Sequence, residues 1–174
     1  MRLRRLFLTL ILLGWLAPLL APRQAHAQQK ARVLVFLRTD CPICNRYAPE
    51  IQRIAREYRD QAGFGLVFAD KSESERAIRG YVKTFGYSLP VLRDPQRRLV
   101  SLAHARVTPE VAVFDAGGAL AYHGRIDNLF VSFGKARSAA TTHDLQDALH
   151  AVTNHERVAV AETQAVGCYL ADAQ

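Results

Sequence analysis

The chain has 174 residues, 49% of them hydrophobic, with 23 basic and 16 acidic side chains and a formal net charge of +7. Four of the basic residues, Arg2, Arg4, Arg5 and Arg23, fall in the first 27 positions, which hold no acid; the other 147 residues carry 19 basic against 16 acidic side chains, a net of +3. That balance excludes nucleic-acid binding as a reading, and the length suits a single domain that buries its own core.

In chain order, the N-terminus reads as a signal peptide over residues 1–27. Arg2, Arg4 and Arg5 form a positive start, Leu6 to Ala21 is apolar, and Ala25-His26-Ala27 is an A-x-A cleavage site, so the mature chain starts at Gln28. The rival is an uncleaved membrane anchor, but the apolar run is short for a span of about 20 residues and Pro18 interrupts it. Export implies a periplasmic or secreted protein, with membrane association only before cleavage. It also places the thiols where disulfides persist.

The domain is expected over residues 28–156, followed by a tail, 157–174, that carries Cys168. Arg32 to Leu37 is an apolar, β-rich run and reads as a buried strand. Asn45 to Asp60 has helical spacing, with Tyr47, Ile51, Ile54, Ala55 and Tyr58 inward and Pro49 as a kink. Phe64 to Ala69 reads as a strand. Glu73 to Phe85 reads as a helix with Ala77, Ile78, Tyr81, Val82 and Phe85 inward, capped by Gly86. Leu89 to Leu92 is a short strand and Gln96 to His104 a short helix. Glu110 to Asp115 and Ala119 to His123 flank Ala116-Gly117-Gly118, a hairpin signal. Ile126 to Ala140 reads as a loop, and Thr141 caps a helix from Thr142 to Val152 with Leu145, Leu149 and Val152 inward. The tail shows one β-like stretch, Val158 to Val160. Early crossovers imply parallel strands and the hairpin an antiparallel pair, so the class is α/β with a mixed sheet and helices on both faces.

Cys41-Pro42-Ile43-Cys44 stands between the first strand and the first helix. A helix N-terminus stabilises a thiolate, the nucleophilic form, and a second thiol two residues on closes a disulfide and releases what the first has attacked. A zinc site needs four ligands, and no second CxxC or HxxxH completes one; Asn45 after Cys44 excludes a c-type haem site. A static structural disulfide is the remaining rival.

These motifs resemble the thioredoxin-like superfamily. Cys41 to Pro49 resembles its active-site helix, including the proline five residues past the second cysteine. Val107-Thr108-Pro109-Glu110 through Gly117-Gly118 resembles its cis-proline strand and the hairpin after it. Within the superfamily the chain looks most like exported redoxins of the alkyl hydroperoxide reductase/thiol-specific antioxidant and cytochrome-maturation thioredoxin type. The resemblance implies a thioredoxin fold, a substrate groove formed by Pro42, Ile43, Thr108 and a cis Pro109, and no cofactor or metal. The chain departs from the peroxiredoxin pattern, with Leu34 where a proline is expected and Arg38 where a Thr or Ser is. It also departs from ordinary thioredoxin, with Val35 in place of a buried acid, so proton transfer at Cys44 uses another group or water.

Cys168 is the odd thiol. It is either a third redox thiol that resolves Cys41 or relays electrons, or a cysteine packed as a small hydrophobe; Gly167 before it permits close backbone approach. His104 is either an acid/base or metal ligand near the site, or a helix C-terminal histidine. Arg46, Arg53, Arg56 and Arg59 form either a docking face for an acidic partner or a solvated helix face. The expected function is an exported thiol–disulfide oxidoreductase acting on a protein dithiol or disulfide partner, with Cys41 attacking and Cys44 resolving. The alternatives are a thiol peroxidase and a copper-binding metallochaperone that uses the thiolates with His104.

Overall fold

A computed structural model describes residues 30–170. The signal peptide and the mature start at Gln28 lie outside the described residues. The elements in order are β1 (Ala31–Phe36), α1 (Pro42–Glu57), β2 (Ala62–Phe68), α2 (Glu75–Thr84), β3 (Val91–Arg93), α3 (Arg98–Ala103), β4 (Val107–Thr108), β5 (Glu110–Phe114), β6 (Leu120–Gly124), β7 (Phe130–Ser132), β8 (Lys135–Ala136), α4 (Asp144–Thr153) and β9 (Cys168–Tyr169). Among the described residues no helix is long and apolar enough to cross a membrane.

Five strands form a mixed sheet in the order β3-β2-β1-β5-β6. β1 pairs in parallel with β2, and β2 with β3; β5 runs antiparallel to β1 and to β6. The class expected from the sequence, α/β with a mixed sheet, is what forms. Side-chain alternation divides the central strands between two cores. Val33, Val35, Leu66, Val111 and Val113 pack with Ile51 and Ile54 of α1, Ile78 of α2, and Leu145 and Leu149 of α4. On the opposite face Phe36, Val67, Ala112 and Phe114 pack with Val100 and Ala103 of α3 and with Leu170.

Several boundaries differ from expectation, each for a local reason. α1 begins at Pro42 rather than Asn45, because Cys41 is extended (φ −90°, ψ 114°) and proline is pre-shaped for the first helical position. α2 begins at Glu75, where the Ser74 hydroxyl accepts the Ala77 N–H at 3.2 Å; Ala77 is therefore in the exposed first turn, not inward. Gly86 takes φ +66° just past that helix, as a C-terminal cap requires. Thr141 caps no helix: its hydroxyl accepts from Asn128 Nδ2 at 2.7 Å, and α4 starts at Asp144. The segment read as a loop contains the small β7–β8 hairpin, turned by Gly134 at φ +77°. Val158 to Val160 forms no strand. The tail instead bridges β6 at Glu162 and ends in β9, which pairs with β4.

Candidate active site

The turn before α1 is pinned on one side by acids. The Thr39 N–H donates to Glu73 Oε1 at 2.6 Å, and Arg38 reaches Asp40 at 2.9 Å and Asp70 at 3.4 Å. Cys41 is the N-cap residue and Cys44 lies in the first turn, which puts both sulfurs at the positive end of a 16-residue helix. Pro42 is exposed and Ile43 buried. Across from them the Thr108–Pro109 peptide bond is cis, and both residues are buried. The carboxylate of Glu110, 1% exposed, accepts the N–H groups of Arg106 (2.7 Å) and Val107 (3.0 Å) and so holds the strand that leads into Pro109.

The third thiol completes the site. β9 lies antiparallel on β4, with Cys168 opposite Thr108 and Tyr169 opposite Val107. Cys168 Sγ donates to Cys41 Sγ at 2.9 Å, and Cys41 Sγ as a thiol donates to the Thr108 carbonyl at 3.1 Å. All three cysteines are free thiols, Cys41 and Cys44 buried and Cys168 half-buried. Cys41 is 0% exposed with the tail seated over it.

Electrostatics divides the three roles. Hydrogen bonding from the Cys44 thiol, joined by that from Cys168, outweighs burial and lowers Cys41 from 9.0 to about 5. Burial, then donation to Cys41 and its charge, raises Cys44 well above the ordinary thiol range. The same causes in the same order push Cys168 up to about 12. Cys41 is therefore the thiolate at neutral pH and the other two are its donors. The lowered group adds stability that is complete above pH 9 and is lost as pH falls toward 5. The raised Cys168 adds stability that is complete below pH 9 and is lost toward 12. The reduced chain is expected to gain stability from pH 5 to about 9, and Cys41→Ser to remove that gain. Urea midpoints across this range test it; an unchanged slope in the variant would refute the thiolate assignment.

No family model matches the chain. Over 89 residues it is 26% identical to the thiol-disulfide oxidoreductase ResA of Halalkalibacterium halodurans, covering 51% of this chain and 50% of that one. The chain thus spans about half the length of this relative. Among solved structures, hypothetical protein SMc02350 of Sinorhizobium meliloti 1021 aligns over 82% of this chain and 80% of its own, with a TM-score of 0.71 and 23% identity. The solution structure of a thioredoxin-like protein in the oxidised form aligns over 74% and 81%, with a TM-score of 0.56 and 18% identity. The chain has a thioredoxin fold.

The thioredoxin fold brings Cys41, Cys44, Thr108 and Pro109 together, and the tail adds Cys168. His104 lies elsewhere: it is the C-terminal cap of α3, exposed, with φ +55° and its ring 5.7 Å from that of His123. The helix-terminal role fits that position. Arg46, Arg53, Arg56 and Arg59 are all exposed; Arg53 pairs with Glu50 (2.6 Å) and Glu57 (2.8 Å) and Arg59 with Asp60, the pattern of a solvated face. Among the described residues, the His, Cys, Asp and Glu side chains close enough to share an ion are Glu50, Asp127 and His143, a group that includes none of the cysteines and not His104. Asp127 there already accepts from the Tyr47 hydroxyl and the Leu129 N–H.

Sequence reasoning missed the supports. Glu73 and Glu110 are buried acids that hold the two loops of the site, and no motif marks them. It placed Tyr81 inward on the second helix but gave neither it nor Tyr87 a place at the site; both hydroxyls are buried, and burial first, then the charge of Cys44, raises their pKa. They stand on the side of Cys44 in a chain that has Val35 where the thioredoxin resemblance leads one to expect a buried acid.

Proposed function

We propose that this chain is an exported thiol–disulfide oxidoreductase that exchanges disulfides with a protein partner. The single observation that carries the reading is the division of the Cys41–Cys44 pair: a lowered, helix-capping thiolate beside a buried thiol held protonated. The ResA match supports the same chemistry. In the reducing direction the Cys41 thiolate attacks one sulfur of a substrate disulfide and expels the other as a thiolate that takes up a proton. Cys44, losing its proton, then attacks Cys41 Sγ, the second substrate sulfur leaves, and two electrons have passed from the dithiol to the substrate. The oxidising direction is the reverse of the same steps. Pro42, Ile43, Thr108 and Pro109 line the approach to Cys41, and Cys168 exchanges with Cys41 as a third redox thiol. Export rests on the N-terminal pattern of residues 1–27.

The test uses protein recovered from the periplasm or medium. Its N-terminus is expected at Gln28 by mass spectrometry, and the reduced form to cleave a disulfide-linked peptide with loss of two of its own thiols. Retention of residues 1–27 would overturn export, and an intact peptide would overturn the exchange.

A further inference from the structure

Resting on the reading of Cys41 as the exchanging sulfur, we propose that Gly167–Leu170 is a tethered substrate. The external substrate is then an extended protein segment of the pattern small–Cys–any–aliphatic, which displaces the tail from the edge of β4.

Each of the four tail positions meets a different environment. At Gly167 an added Cβ would stand 2.1 Å from the Thr108 carbonyl oxygen and 2.6 Å from its carbon, so only a hydrogen fits while the strand is seated. At the second position Cys168 meets Cys41 at 2.9 Å, and its carbonyl accepts from the Thr108 hydroxyl at 3.4 Å. At the third, Tyr169 is 80% exposed and meets no constraint. At the fourth, Leu170 is 6% exposed in the core of Phe36, Val100 and Ala105, and its N–H donates to the Arg106 carbonyl at 3.0 Å. Backbone pairing supplies affinity and these side-chain positions supply selectivity, as in recognition by strand addition.

The tether is built to release this end alone. Upstream, the backbone of Ala161 and Thr163 bonds to His123 on β6, the Thr163 hydroxyl meets Tyr122 at 2.6 Å and the Arg125 N–H at 3.1 Å, and Glu162 pairs with Arg106 at 2.8 Å. Residues 164–170 can then leave the groove while residues 161–163 stay fixed, and the tail competes as a tethered ligand at an effective concentration of order millimolar. Its exchange balances without a co-reactant. The Cys168 thiol loses its proton and attacks Cys41 Sγ of a Cys41–Cys44 disulfide, the new Cys41–Cys168 bond forms, and Cys44 leaves as the thiolate that takes the proton.

The test uses the full chain carrying Cys44→Ser, Cys168→Ser and Gly167→Val, the last to unseat the tail. Peptides bearing Gly-Cys-Tyr-Leu, Val-Cys-Tyr-Leu and Gly-Cys-Tyr-Asp are presented as mixed disulfides with thionitrobenzoate, the leaving group. The first is expected to load Cys41 at least about tenfold faster than the other two. Equal rates would overturn the tethered-substrate reading and leave exchange at Cys41 intact. No loading by any peptide would overturn exchange itself. Gly167→Val alone is expected to speed alkylation of Cys41 at least about tenfold at fixed pH, and an unchanged rate would refute the cover. Leu170→Asp replaces Gly167→Val in both arms if that variant does not fold.

Discussion

Cys44→Ser is expected to accumulate an internal Cys41–Cys168 disulfide and to hold little external partner, whereas Cys44→Ser/Cys168→Ser retains the partner as a stable mixed disulfide. The motivation is the 2.9 Å approach of Cys168 to Cys41. Once a partner sulfur is bonded to Cys41 and Cys44 is absent, the remaining thiol that can reach Cys41 is Cys168. Its attack breaks the Cys41–partner bond, forms Cys41–Cys168 and releases the partner as a thiol. Burial holds Cys168 protonated, but the next two causes of its raised value, donation to Cys41 and the Cys41 charge, vanish once Cys41 is in a disulfide, which leaves the charge of Asp40 opposed by that of Arg38. A nearby thiol on the same chain also acts at an effective concentration of order millimolar, far above a dilute partner. Non-reducing gels of extract with mass mapping distinguish the species, and Cys41→Ser should give none. Equal partner capture by the single and double variants would sink a redox role for Cys168.

What the sequence made legible was local. The CxxC motif, the Thr-Pro before a strand and the Gly-Gly hairpin are short-range signals, and each stands at the site or the strand it was read to mark. The helical faces of α1 and α4 were legible because 3.6-residue spacing places Ile51, Ile54, Leu145 and Leu149 on buried stripes. The tail was not, because its pairing with β4 joins residues about 60 positions apart in only two registered pairs, too short for any propensity to show. Val158 to Val160 carries β-branched residues yet forms no strand: the outer edge of β6 is taken instead by residues 161–163, through the His123 backbone, and Cys168–Tyr169 pairs with the edge that β4 offers. The odd thiol Cys168 and the Gly167 before it were the available hints, and the meaning of Gly167, a carbonyl 2.1 Å from an added Cβ, is a tertiary fact.

The support of β4 makes a second large effect predictable. Glu110 is 1% exposed and one of its carboxylate oxygens accepts two backbone N–H groups, Arg106 at 2.7 Å and Val107 at 3.0 Å. Its other oxygen faces His123 Nδ1 at 3.7 Å, an atom buried without a hydrogen-bond partner. Glu110→Ala removes the acceptor and leaves the Val107 N–H buried and the Arg106 N–H part-buried. Each orphaned buried donor costs about 1–3 kcal/mol, so a loss of roughly 2–4 kcal/mol is expected. Glu110→Gln keeps an oxygen in the same place for both donors and should lose only about 1 kcal/mol. Urea unfolding of the reduced chain measures both, read as a shift in midpoint at constant slope. The functional consequence follows from position. Thr108 is one residue past Val107, its carbonyl contacts Cys41 and its backbone pairs with Cys168. Loosening β4 therefore unseats the tail as well, and Glu110→Ala should expose Cys41 to alkylation under conditions where the chain is still folded. If Glu110→Ala matched Glu110→Gln in stability, with Cys41 equally protected in both, the carboxylate would be a bystander and the strand beside the thiols would hold its place through its neighbours alone.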